Sequence, residues 1–288
     1  MSSLILLPSP EKDLGGGFVV RRSLPAAACR AVGPFVFFDH MGPVRETPGH
    51  AHDVRPHPHI GLATVTYLFA GAMMHRDSLG SVQRIEPGAI NWMTAGRGIV
   101  HSERKPEDLL DQTFDLHGLQ LWCALPREAE ECEPAFAHTP AAALPQIEVD
   151  GATVRVLIGE AFGARSPVAT FSETVYLDLQ LTPESDLALP DHVAERAVYA
   201  VDGEIELNGE RVPPRTMAVL APDCAWRLTA PADARAVLIG GAPLDGPRAM
   251  WWNFVSSRRE RIEEAKADWQ AQRMGAIPGE TEWIPLPG

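Results

Sequence analysis

Apolar and polar residues alternate with a period of two along most of this chain, in short runs bounded by turn residues. In the run 175–181, four aliphatic residues alternate with Tyr, Asp and Gln, so the aliphatic side chains of an extended backbone fall on one face. Comparable runs lie at 17–22, 35–39, 63–69, 116–123, 154–159, 197–207, 217–220 and 235–240. Asp202–Gly203 and Asn208–Gly209 have the composition of hairpin turns. The pattern predicts an all-β protein whose strands form barrels or sandwiches.

The pattern changes near the C-terminus, where we predict one α-helix over residues 257–274. Ser257 and Glu260 have the spacing of a capping box, with a hydroxyl at the cap and a carboxylate three residues later. Apolar residues then recur at helical spacing, namely Ile262, Ala265 and Trp269. This single apolar stripe predicts a helix that docks on the body of the protein.

The length of the chain suggests two domains. The 288 residues are enough for two domains of about 150 residues each. The proline-rich segment 134–146 is the best candidate for a linker between two all-β halves. We therefore predict an N-terminal domain at residues 1–138 and a C-terminal domain, with the helix, at residues 139–288.

Charge and cysteine content narrow the function classes. The 25 basic against 38 acidic residues leave a net charge of −13, which disfavours direct nucleic-acid binding and is better suited to a basic protein partner. No run approaches 18 apolar residues, and the N-terminus has no basic signal-peptide region, so neither a membrane span nor secretion is expected. The four cysteines include no CxxC pair, which is typical of reduced thiols in a cytoplasmic protein.

Histidines carry the strongest chemical signal, because six of the ten lie between residues 50 and 101. His57 and His59 flank a proline and point to one side of an extended chain. His101 and Glu103 form a second pair with the same spacing. Two such pairs across a barrel interior would offer three imidazoles and one carboxylate to a divalent transition metal, and iron, manganese, nickel, copper and zinc all accept this donor set.

Other candidates carry less weight. His50 and His52 repeat the spacing, but they lie in a loop flanked by Gly and Pro, so we expect a solvated loop and, as the alternative, a lining of the site entrance. His75 and Asp77 are expected to orient neighbouring groups. His192 is the single histidine after residue 138.

The residues around these histidines resemble the pirin family of the cupin superfamily. The resemblance is carried by HPH at 57–59, TVTY at 64–67, DSLG at 77–80 and, above all, NWMTAGRGIVHSE at 91–103. FFDH at 37–40 and LQLW at 119–122 look like the flanking pirin strands. The resemblance implies a bicupin, with two face-to-face cupin β-barrels and metal in the N-terminal barrel.

The family's ligands carry over to four residues here, His57, His59, His101 and Glu103, with iron(II) as the expected ion. Cupins generally have a glutamate a few residues after the first histidine pair, where this chain has Ala63. The ligating glutamate of pirins is the later one, which is present as Glu103. The C-terminal half has no such histidine pair, so we expect that barrel to be metal-free.

Two functions follow from the resemblance. The first is a metal-dependent dioxygenase that opens a flavonol such as quercetin with O2, in which Glu103 is the catalytic base for the 3-hydroxyl proton. The alternative is a metal- and redox-dependent regulatory protein that binds a transcription factor or a metabolic enzyme. Oxygen uptake with flavonols distinguishes the two.

Overall fold

A computed structural model describes residues 4–15, 17–50 and 52–288, and these fold mostly as short β-strands with one α-helix, as the alternation predicts. The strands before residue 145 are β1 (Ile5–Pro8), β2 (Glu11–Asp13), β3 (Val19–Leu24), β4 (Phe35–Glu46), β5 (Val54–His59), β6 (Leu62–Ala70), β7 (Met73–Asp77), β8 (Val82–Ile85), β9 (Ile90–Thr94), β10 (Ile99–Arg104), β11 (Phe114–Ala124) and β12 (Ala135–Thr139).

The strands after residue 145 are β13 (Gln146–Val149), β14 (Ala152–Ile158), β15 (Glu160–Ala161), β16 (Ala164–Arg165), β17 (Thr174–Leu181), β18 (Asp186–Ala188), β19 (Glu195–Asp202), β20 (Ile205–Leu207), β21 (Glu210–Val212), β22 (Thr216–Leu220), β23 (Arg227–Thr229), β24 (Ala234–Gly241), β25 (Ala249–Trp251) and β26 (Phe254–Ser256). Short 3₁₀ turns lie at Glu107–Leu109, Arg127–Ala129 and Ala141–Ala143, and the α-helix is α1 (Arg259–Gln270).

The chain divides into two compact units. The first unit comprises Met1–Lys12, Arg21–His40 and Ala142–Pro243, and the second unit comprises Asp13–Val20, Met41–Ala141 and Leu244–Gly288. Residues 1–3, 16 and 51 lie outside the described part of the chain. The division at residues 138 and 139 stays a prediction of the sequence.

The first unit contains a sheet in the order β1-β22-β19-β24-β17-β14-β13 and a smaller sheet in the order β18-β23-β20-β21. The aliphatic set of β17 is fully buried in the core of this unit, as its alternation predicts. The hairpin prediction at Asn208–Gly209 is confirmed, but the one at Asp202–Gly203 is wrong, because β19 and β20 belong to different sheets. Asn208 and Gly209 have positive φ values of 50° and 81° and join β20 to β21, as a two-residue hairpin turn requires.

The second unit holds the predicted metal site. Its sheets include β5-β10-β7-β8 and the run β12-β9-β6-β11. An apolar cluster of this unit joins Ile60, Val100 and Phe254 to the apolar face of the helix, which is formed by Ile262, Ala265 and Trp269. The stripe predicted from helical spacing is therefore the buried face of α1, and it backs the strands that carry the histidines.

The predicted linker at 134–146 is partly wrong, because it contains β12. This strand pairs with β9, with Ala137 opposite Trp92. The prolines that suggested a linker lie at strand boundaries: Pro134 and Pro140 flank β12, and Pro145 directly precedes β13. Proline removes ladder hydrogen bonds within a strand but is tolerated at its boundaries.

The helix is shorter than predicted, and the capping-box prediction is wrong. Helix α1 begins after Arg258, which provides no side-chain cap. Ser257 instead donates from its backbone N–H and its hydroxyl to the Glu130 carboxylate, at 2.8 Å in each case. No helix among the described residues is long and apolar enough to cross a membrane.

Candidate metal centre

Strands β5 and β10 bring the two predicted metal-binding pairs together. The strands are antiparallel neighbours, and His101 lies directly opposite His57 in their register. Side chains of alternate residues share a face, so His59 joins the same set. The ligand nitrogens of His57, His59 and His101 lie within 4.8 Å of one another, and all three residues are buried.

A glycine turn fixes the end of β5 beside the site. Gly61 has φ +68°, and a Cβ at this position would lie 1.9 Å from the Val255 carbonyl oxygen. A side chain here would clash with the backbone, so the close approach requires glycine. The Gly61 N–H donates to the Gly96 carbonyl (2.8 Å), which ties the turn to the loop before β10.

Backbone hydrogen bonds set the tautomers of two histidines. His57 Nδ1 donates to the Arg55 carbonyl at 2.8 Å, and His59 Nδ1 donates to the Asn253 carbonyl at 3.2 Å. A carbonyl oxygen only accepts hydrogen bonds, so each Nδ1 carries the proton and each Nε2 keeps a free lone pair. This outer hydrogen bond is the usual support of a metal-binding imidazole.

His101 provides the test of whether the site fits a metal ion. Both of its ring nitrogens are buried, and neither has a hydrogen-bond partner within the described part of the chain. A buried polar atom without a partner is costly, by about 1–3 kcal/mol. A metal ion bound at this ring would satisfy one nitrogen, so the residues present fit a metal.

Glu103 lies two residues beyond His101 on β10 and is 8% exposed. It is not a member of the group of three nitrogen donors within 4.8 Å. The pairing of β10 with β5 is irregular between these two residues, and Glu103 lies opposite Val54. Across β7 the register is regular, with Glu103 opposite His75. The three buried imidazoles and this buried glutamate offer the donor types of a cupin metal site.

Burial controls the protonation of the site. It lowers the pKa of His57 to about 4 and holds the pKa values of His59 and His101 well below the ordinary value. The three imidazoles are therefore neutral at pH 7, which is the form that binds metal. Burial also raises the pKa of Glu103 to about 7. Within the described ranges of the chain no ion pair involves Glu103, so its buried carboxylate favours a cation nearby.

His75 and Asp77 support the site, as predicted. His75 Nε2 donates to Asp77 Oδ2 at 3.0 Å, while Asp77 Oδ1 accepts from the backbone N–H groups of Leu79 and Ser81. Burial by itself would raise the pKa of Asp77, but hydrogen bonds from His75 and Ser81 outweigh it and hold this pKa below its ordinary value. The His75 ring is thereby fixed 5.3 Å from the His101 ring.

Sequence reasoning missed the aromatic residue that covers His75. Phe136 stacks on His75, with ring centroids 4.2 Å apart. The prolines around Phe136 predict a linker at this position. The signal was the five-residue stretch between Pro134 and Pro140, which is long enough for a strand.

The prediction of a solvated loop at His50 and His52 is wrong for His52. The His52 side chain is 6% exposed, and its Nδ1 lies 2.5 Å from Glu46 Oε1. His50 is exposed, as predicted. A ligand atom from each of Glu46, His50 and His52 lies within 4.8 Å of the other two, in a second set of donors.

Comparison with known proteins agrees with this geometry. The pirin family model matches residues 17–123, and the model of the pirin C-terminal cupin domain matches residues 176–275. A pirin-like protein of Caulobacter vibrioides is 48% identical over 98% of this chain and 99% of its own length. The chain belongs to the pirin family. All four predicted ligands lie within the part matched by the first pirin model.

Solved structures of the family extend the comparison. A quercetin 2,3-dioxygenase from Acinetobacter baumannii is 37% identical, with a TM-score of 0.92 over 99% of this chain and 95% of that chain. A bacterial pirin from Escherichia coli, solved in complex with nickel(II), is 18% identical, with a TM-score of 0.66 over 85% of this chain and 100% of that chain. At that identity the likeness shows the fold alone, and the fold is the mostly β bicupin type.

Proposed function

We propose that this pirin is a metal-dependent dioxygenase that opens a flavonol, such as quercetin, with O2. The observation that carries the proposal is the convergence of three buried, neutral imidazoles, those of His57, His59 and His101. The ring nitrogens of His101 have no hydrogen-bond partner among the described residues. The likeness to the Acinetobacter quercetin 2,3-dioxygenase supports the substrate class.

His57, His59, His101 and Glu103 are the proposed ligands. When bound, a divalent transition-metal ion would supply Lewis acidity that lowers the pKa of the flavonol 3-hydroxyl; we propose iron(II), with nickel, manganese, copper or zinc as alternatives. Iron, nickel, manganese and copper would also supply redox capacity toward dioxygen, whereas zinc would act as a Lewis acid alone. The His57 and His59 rings are already oriented for this task by their backbone hydrogen bonds.

Glu103 is the proposed base that takes the proton of the 3-hydroxyl. A general base works best when its pKa lies near the working pH, and burial raises the pKa of Glu103 to about 7. His75 lies opposite Glu103 in the register of β7 and β10 and is itself held by Asp77. We propose that His75 and Asp77 orient the site and that neither residue binds the metal.

Aromatic side chains exclude water from the same region. Trp122 is buried and packs edge-on against His59, with ring centroids 5.1 Å apart. Phe136 covers His75. Apolar walls of this kind suit a flat aromatic substrate and keep bulk water from competing for the proton on Glu103.

The test is oxygen uptake by protein that has been stripped with a chelator and reloaded separately with iron, nickel, manganese or copper. A panel of flavonols is supplied, and carbon monoxide is measured alongside oxygen. We expect uptake with at least one metal and one carbon monoxide released for each O2 consumed. A filled site that consumes no oxygen with any metal would contradict the proposal and favour a regulatory, partner-binding role.

A further inference from the structure

Glu46, His50 and His52, here called the Glu46 cluster, form a second group of metal-binding side chains in the second unit. A carboxylate oxygen and one nitrogen from each imidazole lie within 4.8 Å of one another. The cluster shares no residue with the site around His101. Two of its residues, His50 and His52, are the pair for which the sequence predicts a solvated loop.

A tight turn builds the cluster at the end of β4. The turn is formed by residues 47–50 (TPGH), and the His50 N–H donates to the Thr47 carbonyl at 3.1 Å. Gly49 has φ +72°, and Pro48 precedes it, which is the pattern of a type II turn. The turn reverses the chain directly after Glu46. His50 and His52 are thereby returned to the carboxylate.

A lysine holds this turn in place. Lys105 Nζ donates to the carbonyl oxygens of Thr47 at 3.0 Å and His50 at 3.4 Å, and also to that of Gln112 at 3.4 Å. The two bonds to Thr47 and His50 fix the loop backbone against the residue that follows β10, the strand that carries His101. The donors of the Glu46 cluster are therefore held in position before any ion arrives.

One atom of the cluster lacks a partner. Glu46 is 2% exposed, and its Oε1 accepts the bond from His52 Nδ1. Its Oε2 is also buried, yet it has no hydrogen-bond partner in the described ranges of the chain. Glu46 and His52 also line a cavity of about 10 Å³, together with Arg104, Lys105 and Phe114 among others. That volume holds about one water-sized particle.

We propose that the Glu46 cluster is a second metal site, which takes a divalent first-row transition ion. Two imidazoles and one carboxylate are donors that such ions accept, with coordination positions left over for water. The buried carboxylate supplies negative charge. His50 is exposed, so an ion can reach the cluster from solvent on that side. In the bound state, bonds to the ion replace the hydrogen bond between His52 Nδ1 and Glu46 Oε1. The Lys105 ammonium lines the same cavity, so we expect weaker binding than at the site around His101.

The test is the zinc content of the full chain, stripped with a chelator, dialysed against Zn2+ and measured by elemental analysis. His50→Gln is the main variant, because an exposed side chain can be replaced without disturbing the core. Glu46→Gln is the second variant and removes the buried charge. His192→Gln is the matched control, a histidine outside both groups of donors.

We expect His50→Gln and Glu46→Gln each to bind one Zn2+ fewer per chain than the wild type, while His192→Gln matches the wild type. His57→Ala should lose a different ion, so the double variant His50→Gln/His57→Ala should lose both. A His50→Gln protein that binds as much Zn2+ as the wild type would overturn the inference. The site around His101 is tested separately: a His57→Ala protein that binds as much Zn2+ as the wild type would contradict that site and not the Glu46 cluster.

Discussion

At the scale of single residues, Glu103 links the metal site to pH. In the metal-free protein its raised pKa, about 7, means that the carboxyl is protonated below that pH. A ligating carboxylate must lose this proton, so metal affinity should rise with pH through 7. The pKa values of the neighbouring histidines are lowered, so these residues do not titrate in this range.

This reasoning predicts a pH-dependent affinity that a single substitution removes. Between pH 6 and pH 8, affinity at the site around His101 should increase about tenfold, since one proton is released. Competitive titration with a chromophoric chelator measures it, in the His50→Gln background so that one site is observed. Glu103→Gln should show a flat profile over the same range. An equally steep profile in this variant would mean that another group releases the proton.

Substitution of Glu103 also distinguishes a catalytic role from a role in metal binding alone. Glu103→Gln keeps the size of the side chain and an oxygen donor but removes the base, so reloaded protein should lose about 10²- to 10⁴-fold in turnover. His57→Ala should act through lost metal, and excess metal should partly restore its activity. Steady-state oxygen uptake at saturating metal measures both. Full turnover in Glu103→Gln would assign the proton transfer to another group.

At the scale of elements, the start of helix α1 depends on one buried carboxylate. Glu130 is 3% exposed and accepts the N–H and hydroxyl of Ser257, while Arg248 Nε lies 2.7 Å from its Oε1. That N–H is not aligned for a hydrogen bond, so the contact is an ion pair by distance. Glu130 thus accepts the Ser257 N–H, the bond that the predicted capping box would have given to Glu260.

Removing the Glu130 carboxylate should therefore lower the free energy of unfolding strongly. Glu130→Ala leaves the buried Arg248 guanidinium without this partner, and we expect a loss of about 3–5 kcal/mol in the free energy of unfolding. The matched control is the neighbouring Glu131→Ala, whose side chain is 42% exposed and pairs with Arg258 and Arg261. Its cost should be about 1 kcal/mol or less. Urea denaturation measures both, and equal losses would contradict this account of the helix start.

Sequence periodicity predicted the elements well where local rules act alone. The β17 alternation, the Asn208–Gly209 hairpin and the buried stripe of α1 each follow from spacing within one segment. The errors arose where a distant residue decides the outcome. Ser257 bonds to Glu130, 127 positions earlier in the chain, and no local pattern contains that information.

The same distinction applies to the site. The spacing within each pair predicted that its two side chains share a face. The structure brings the ligand nitrogens of His57, His59 and His101 together on β5 and β10, which are neighbours in one sheet. The stacking of Phe136 on His75 depends on the order of strands in a sheet, which the sequence does not reveal. The placement of His52 depends on a turn that returns the chain to Glu46.

At the scale of the whole molecule, the two units are expected to differ in metal binding. His192 is the single histidine of the chain after residue 138, and no group of metal-binding side chains is found among the described residues of the first unit. We therefore predict that His192→Gln leaves metal content unchanged for every ion loaded, as measured by elemental analysis. A loss of one ion in this variant would place a metal in the C-terminal half.

The central claim is that His57, His59, His101 and Glu103 hold one metal ion. The most direct measurement is a crystal structure of metal-loaded protein with anomalous data at the absorption edge of the metal. The account predicts a peak about 2.0–2.3 Å from the Nε2 atoms of the three histidines and from a Glu103 carboxylate oxygen. A loaded crystal with no peak among these four side chains, or with Glu103 turned away from the ion, would contradict it.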